Sequence, residues 1–316
     1  MLELTFSADD LAFTRFAISP LWETVAAVRT LKYPAEHPLH RRWAETVRPR
    51  LAAAGTRLEP LSELVGPRLI AAFACPPPSS PSPDLELELA ALRLQPHDRV
   101  AADREALDLP PDPDPKAGLD RLADTVAEFW DIALAPYWPR VRALLDGDIL
   151  YRARLLASGG AHRLFADLSP GVTWMGDQLN VPRRAPGTVP LDGRGLLLVP
   201  SVFTWPKLFS LTAPGWQPLL RYPARGVGTL WEHTERDAPV ALAKILGRSR
   251  AHLLVLLDEP AATGDLALRA GLSAGGTSQH LTALRDAGLV SAHRTGRYVL
   301  YARTEIAEAL LAAPHT

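Results

Sequence analysis

Leu21, Val25 and Val28 fall on one face of a helix expected over residues 21–31, with Pro20 at its start, where a missing N–H leaves nothing unpaired. The same period predicts helices over 10–17, behind the start signal Ser7-Ala8-Asp9-Asp10, over 40–53, over 84–107, and over 61–74 with a break at Pro67. It returns between 116 and 168 through Leu119, Leu122, Val126 and Phe129 and then Val141, Leu144 and Leu145, with Pro136 and Pro139 bending or breaking the run. Asp146-Gly147-Asp148 reads as a helix-ending turn. Elsewhere the period is two. Leu2, Leu4 and Phe6 alternate with polar residues, and 172–181, 195–203, 208–212 and 217–222 read as strands separated by Gly and Pro turns. Residues 1–230 are therefore expected to form an α+β domain, mostly helical with a small antiparallel sheet. The proline-rich stretches 75–83 and 109–115 read as surface loops between its helices.

Residues 237–316 carry a second pattern. Helices are expected over 237–246 and 248–257, with Gly247 between them and Glu259-Pro260 ending the second. Leu266, Leu268 and Leu272 then belong to a short helix starting at Thr263 or Asp265 and ending at Gly271. Ser273 caps a further helix with Leu281, Leu284 and Ala287 on one face and Gln279, Thr282 and Asp286 off it, and Gly288 closes it. Two β-like runs, 289–293 and 298–301, flank a four-residue hairpin turn, Arg294-Thr295-Gly296-Arg297, and a last helix covers 305–312. Helix, turn, helix, hairpin is the order of a winged helix-turn-helix domain.

The string Ser278-Gln279-His280-Leu281-Thr282-Ala283-Leu284-Arg285-Asp286-Ala287-Gly288-Leu289-Val290 resembles the recognition-helix signature of ArsR-type bacterial transcriptional regulators, S-x-H-L-x-x-L-R-x-A-G-L-V. Arg294, Gly296, Arg297 and Tyr301 continue the likeness into the wing. The resemblance covers the last quarter of the chain. More loosely, the long N-terminal region resembles the extra domain before the winged helix in some actinobacterial ArsR-like regulators. What it implies is a homodimeric repressor that binds a double-stranded DNA operator.

In a winged helix the second helix enters the major groove by its N-terminal half. Ser273, Thr277, Ser278 and Gln279 are the candidates for base edges there, Gln279 with an adenine in bidentate fashion. Thr282 and Arg285 lie further along, toward phosphate, although Arg285 reads equally well as half of a structural ion pair. His280 either touches DNA or supports the packing of the helix. Arg294 and Arg297 are expected at phosphate or in the minor groove. Gly275 and Gly276 depart from the family pattern. Two glycines in a first helical turn cost about 1 kcal/mol each relative to alanine, so this turn either orders on DNA or lets backbone approach phosphate closely.

Many ArsR-like proteins sense metals through a Cys-x-Cys pair or through His, Asp and Glu on the terminal helix. Here Cys75 is the single cysteine and the end of the chain offers Glu305, Glu308 and His315, so neither metal nor cofactor is expected. Trp174, Trp205, Trp216 and Trp231, with Tyr222 and Phe203, read either as core or as the lining of an apolar pocket for a small-molecule effector.

Charge sharpens the picture by what it withholds. The 316 residues carry 34 basic and 35 acidic side chains, and residues 237–316 alone hold eight against seven, so DNA affinity has to come from a local arrangement. Scarce lysine beside abundant arginine, alanine and proline is the bias of a GC-rich bacterial genome. The sequence shows no leader and no apolar run of roughly 20 residues, so the protein is expected in the cytoplasm, away from membranes. It has no G-x-S-x-G, Gly-rich phosphate loop or H-E-x-x-H, and the chain is read as a regulator and not as an enzyme. The alternatives are an enzyme with an appended winged helix, and a winged-helix protein that acts through protein partners.

Overall fold

The computed structural model describes residues 1–67, 69–182, 186–231, 240–257, 261–295 and 298–312. They divide into two compact units. The first joins Met1–Tyr137 to Arg152–Ala224, and the second joins Trp138–Tyr151 to Arg225–Thr316.

In the first unit β1 (Leu2–Thr5) is followed by α1 (Ala8–Phe13), which opens on a capping box. Ser7 Oγ accepts from the Asp10 backbone N–H at 3.2 Å, and Asp10 Oδ2 accepts from the Ser7 N–H at 2.9 Å. The helix stops short of the expected residue 17, because Arg15–Phe16 leaves it to pair as strand β2. Ser19 caps α2 (Pro20–Lys32), which is buried along its length from Pro20 to Thr30 and so forms the centre of the helical layer rather than an amphipathic flank. Glu88 of α5 (Leu85–Arg93) holds its start, accepting from Ser19 Oγ at 2.6 Å and Leu21 N at 2.7 Å.

Around α2 lie α3 (Arg41–Ala54), α4 (Glu59–Ser62), α6 (His97–Glu105) and α7 (Pro115–Ala133). Residues 61–74 hold no long helix: beyond α4 the chain makes a bridge between Val65 and Ile70 and a single 3₁₀ turn. The proline-rich stretch 75–83 is not a surface loop throughout, since Cys75, Pro76, Pro78 and Pro83 are buried. Proline brings no N–H into the interior, and the carbonyls of Cys75 and Pro81 accept from Arg221 Nη2 and Ile18 N. Asp146-Gly147-Asp148 does not end a helix either. It lies inside α8 (Trp138–Ala166), where Asp146 pairs with Arg142 at 2.8 Å and Asp148 accepts from the Arg225 N–H at 3.1 Å.

The unit is α+β as the periodicity predicts, but a single antiparallel sheet is replaced by two mixed ones. Strands β3 (Thr173–Met175), β4 (Gln178–Val181) and β5 (Gly187–Pro190) join β1 in the order β3-β4-β1-β5, with β1 antiparallel to β4 and parallel to β5. Strands β6 (Leu197–Ser201), β7 (Phe209–Leu211) and β8 (Leu219–Pro223) join β2 in the order β2-β6-β8-β7, with both β6 pairings parallel. Leu4, Leu179, Leu198 and Leu220 from both sheets pack with Leu164 and Phe165 of α8 in one apolar core.

The second unit contains α9 (Val240–Leu246) and α10 (Arg248–Leu256), joined at Gly247, whose φ of +84° needs glycine. Then come β9 (Ala261–Ala262), α11 (Thr263–Ala270), α12 (Ala274–Asp286), β10 (Val290–Thr295), β11 (Tyr298–Arg303) and α13 (Glu305–Ala312). The strand order is β10-β11-β9. Leu253, Leu254, Leu266, Leu281, Leu284 and Val290 form its core. The expected helix end at Glu259-Pro260 and residues 237–239 lie outside the described residues, as does His315.

Candidate nucleic-acid interface

Helix α11 enters directly from strand β9. Its N-cap is therefore Ala262, which pairs with Leu300, and not Thr263 or Asp265; Asp265 instead faces Arg269 at 3.4 Å. Gly271, at φ +64°, ends the helix and lets the Leu272 N–H return to the Ala267 carbonyl at 2.9 Å. Leu266 is buried, Leu272 is partly buried, and Leu268, two residues from Leu266, points away and is 82% exposed.

Ser273 caps α12 as expected, its Oγ accepting from the Gly276 N–H at 3.2 Å. The first turn, with Gly275 and Gly276, is helical. Thr277, Leu281 and Leu284 form the buried stripe of the helix, which removes Thr277 from the candidate base contacts. One full turn separates it from Leu281, so its side chain goes to the core, where its hydroxyl finds no hydrogen-bond partner among the described residues. On the other side Ser278 and Gln279 are exposed and Thr282 is half-buried, and at helical spacing these three share one polar face. His280 is half-buried at the edge of that face. Arg285 is exposed and bonds its neighbour Asp286 at 3.1 Å, a pair on the open surface.

Gly288, at φ +71°, turns the chain into the wing. In the hairpin Val290 pairs with Arg303 and Thr295 with Tyr298, so Arg294 and Thr295 are strand rather than turn. The structure places the Arg294 backbone opposite Val299. Its side chain, Gly296 and Arg297 lie outside what is described. Arg303, which the motif does not single out, locks the wing to the domain: its Nε donates to Leu254 O at 2.6 Å and its Nη2 to Val255 O at 2.8 Å, satisfying carbonyls at the end of α10. Thr304 Oγ1 adds a bond to Gly288 O at 2.8 Å.

A tri-helical core, a polar second helix and a three-stranded wing define a winged helix-turn-helix domain. Residues 253–292 match the profile described as bacterial regulatory protein, arsR family, and residues 112–228 match a family of unknown function (DUF5937). The chain is a DNA-binding transcriptional regulator whose C-terminal domain belongs to the ArsR family and follows a separate N-terminal domain of unknown function. A crystal structure described as that of the predicted DNA-binding transcriptional regulator from E. coli is 36% identical, covering 23% of this chain and 80% of that one, with a TM-score of 0.20. No curated protein matches the chain. Among the described residues no helix is long and apolar enough to cross a membrane, and no three metal-ligating side chains come together.

Four of the six aromatic residues singled out as a possible pocket lining are engaged elsewhere. Phe203 and Tyr222 are buried core, Trp174 packs at 5.0 Å on Phe165, and Trp216 lies under the Arg99 guanidinium at 3.9 Å. Spacing along the strands carries no signal that would separate them from core.

Proposed function

We propose that the chain is a homodimeric repressor that reads an inverted-repeat operator through α12 and releases it when a small molecule binds the N-terminal domain. The polar face of α12 carries the reading: Ser278 and Gln279 at base edges, with Ser273, Thr282, His280 and Arg285 toward the backbone, and Arg294 and Arg297 of the wing at phosphate. Dimerisation is supported by apolar side chains left open on the two helices that begin and end the second unit's C-terminal segment, Val240 and Ile245 of α9 and Ile306 and Leu310 of α13. Release requires that the ligand bind the DNA-free arrangement better than the DNA-bound one. A cavity of about 630 Å³ within the first unit supports a small-molecule response.

The test is selection of bound sequences from random duplex DNA, followed by titration of the winner at two salt concentrations. Half-sites spaced by about one helical turn, roughly 10 bp, are the expected outcome. Folded protein that enriches no sequence at low salt would sink the operator-binding reading.

A further inference from the structure

The cavity of the first unit is walled by Trp22, Ile70, Leu208 and Phe209 on its apolar side and reaches Lys207 and Arg221. Its volume, about 630 Å³, lies within the range of small-molecule sites, roughly 300–1,000 Å³. The charges on its wall are unequal. Arg29 and Lys207 both bond Glu36, Arg29 at 2.8 Å, and Arg29 also donates to the carbonyls of Gly66 and Pro67. That group pairs its charges through Glu36 and keeps one surplus positive charge, although the Arg29 Nε–H has no acceptor among the described residues.

Arg221 is different. It is 3% exposed, its guanidinium lies 4.1 Å over the Trp22 ring, its Nη2 donates to the Cys75 carbonyl, and the Cys75 thiol lies beside it as a second neutral partner. Among the described residues its Nε–H has no acceptor, and no carboxylate lies within ion-pair distance. A guanidinium offers five donors in a planar fork, and burying such a charge with only the neutral groups of Cys75 as partners is expensive unless something else supplies the anion. The nearby Glu88 carboxyl is committed to Ser19 and Leu21. Trp22 and Phe209, with ring centroids 5.2 Å apart, give an aromatic wall next to this fork.

We propose that this cavity binds a small carboxylic acid with a flat apolar body, its carboxylate toward the Arg221 guanidinium and its body against Leu208 and Phe209. The planar fork fits a carboxylate in bidentate fashion, and the apolar wall selects against small hydrated anions. That this ligand is the effector rests on the reading of the chain as a ligand-responsive regulator; the binding does not.

The experiment is calorimetric titration of the full chain, without DNA, with 2-naphthoate and 1-pyrenebutyrate and with the primary amide of each as neutral control. Saturable one-to-one binding of at least one acid, with its amide about tenfold or more weaker, is expected. Arg221→Met should bring the acid down to the affinity of the amide. Should that variant fail to fold, Leu69→Glu places a repelling carboxylate on the cavity wall at a position 44% exposed, and the acid should again weaken about tenfold. No saturable binding of either acid, equal affinity for acid and amide, or undiminished acid affinity in the folded variants overturns the proposal. An acid that binds but leaves operator affinity unchanged supports the cavity assignment and overturns the ligand response alone.

Discussion

Thr277 carries a buried hydroxyl without a partner among the described residues, on the inner stripe of α12. Valine has nearly the same shape and no polar atom to desolvate, so Thr277→Val should stabilise the second unit by about 1–2 kcal/mol while leaving DNA affinity in place. Thermal denaturation with a parallel DNA titration checks both halves. Gln279→Ala, on the outer face, should leave stability alone and relax the preference at one base pair by about 1–3 kcal/mol; an equal loss on specific and random duplexes would contradict that role. In the first unit Glu23 is wholly buried and accepts from the Val202 and Phe203 N–H groups at 3.2 and 3.4 Å. Burial pushes its carboxyl from 4.5 up to about 8, and that of Glu88 up to about 7. A carboxyl raised on folding stabilises the fold at low pH and loses that contribution as pH rises through the folded value. Burial holds His40 down at about 3 and lowers His37 as well, so these imidazoles oppose that fall until they are neutral in the unfolded chain too, about one unit above their ordinary 6.5. Glu23→Gln should therefore flatten the fall in stability between pH 6.5 and 8 by up to roughly 1.4 kcal/mol per pH unit, read from denaturant midpoints.

Helix α12 shows how far local sequence determines an element. Ser273 as cap, Gly271 and Gly288 as turn-formers and Leu281 and Leu284 as core are legible because caps, left-handed positions and the 3.6 period act within a few residues. The face of Thr277 is not legible by type, since threonine suits either side, and only its place one turn before Leu281 assigns it. The start of α11 fails for a tertiary reason: Ala262 is already fixed by Leu300 across the sheet, so no side-chain cap is used. Gly275 has open space where a Cβ would go, and Gly275→Ala should stabilise the helix by about 1 kcal/mol. If backbone meets phosphate at that turn, the same variant should weaken DNA binding, and an unchanged affinity in the stabilised protein would remove that explanation for the glycine.

At the scale of the molecule, a net charge of −1 leaves DNA affinity to the few cations of the winged helix. Arg294→Ala with Arg297→Ala should weaken binding to all duplexes and flatten the plot of log affinity against log salt by about 0.9 for each phosphate left without its arginine. An unchanged slope would place the wing away from phosphate. Long-range features escape the linear pattern: residues 138–151 group with the winged helix although they lie far from it in the chain, and the two sheets draw strands from distant segments. The cavity wall is equally hidden, because Trp22, Phe209 and Arg221 share no motif and meet only when α2, β7 and β8 come together.

Those strand pairings set the order in which the first unit can be made. Leu2–Thr5 waits for Gln178–Val181 and Gly187–Pro190, Arg15–Phe16 waits for Leu197–Leu198, and α2 to α8 are synthesised in between. Neither sheet can close until the ribosome has passed its late strands, and pairings of such sequence separation cost loop entropy before they return any stability. Closure of both sheets is therefore late, with two strands left unpaired on the nascent chain until then.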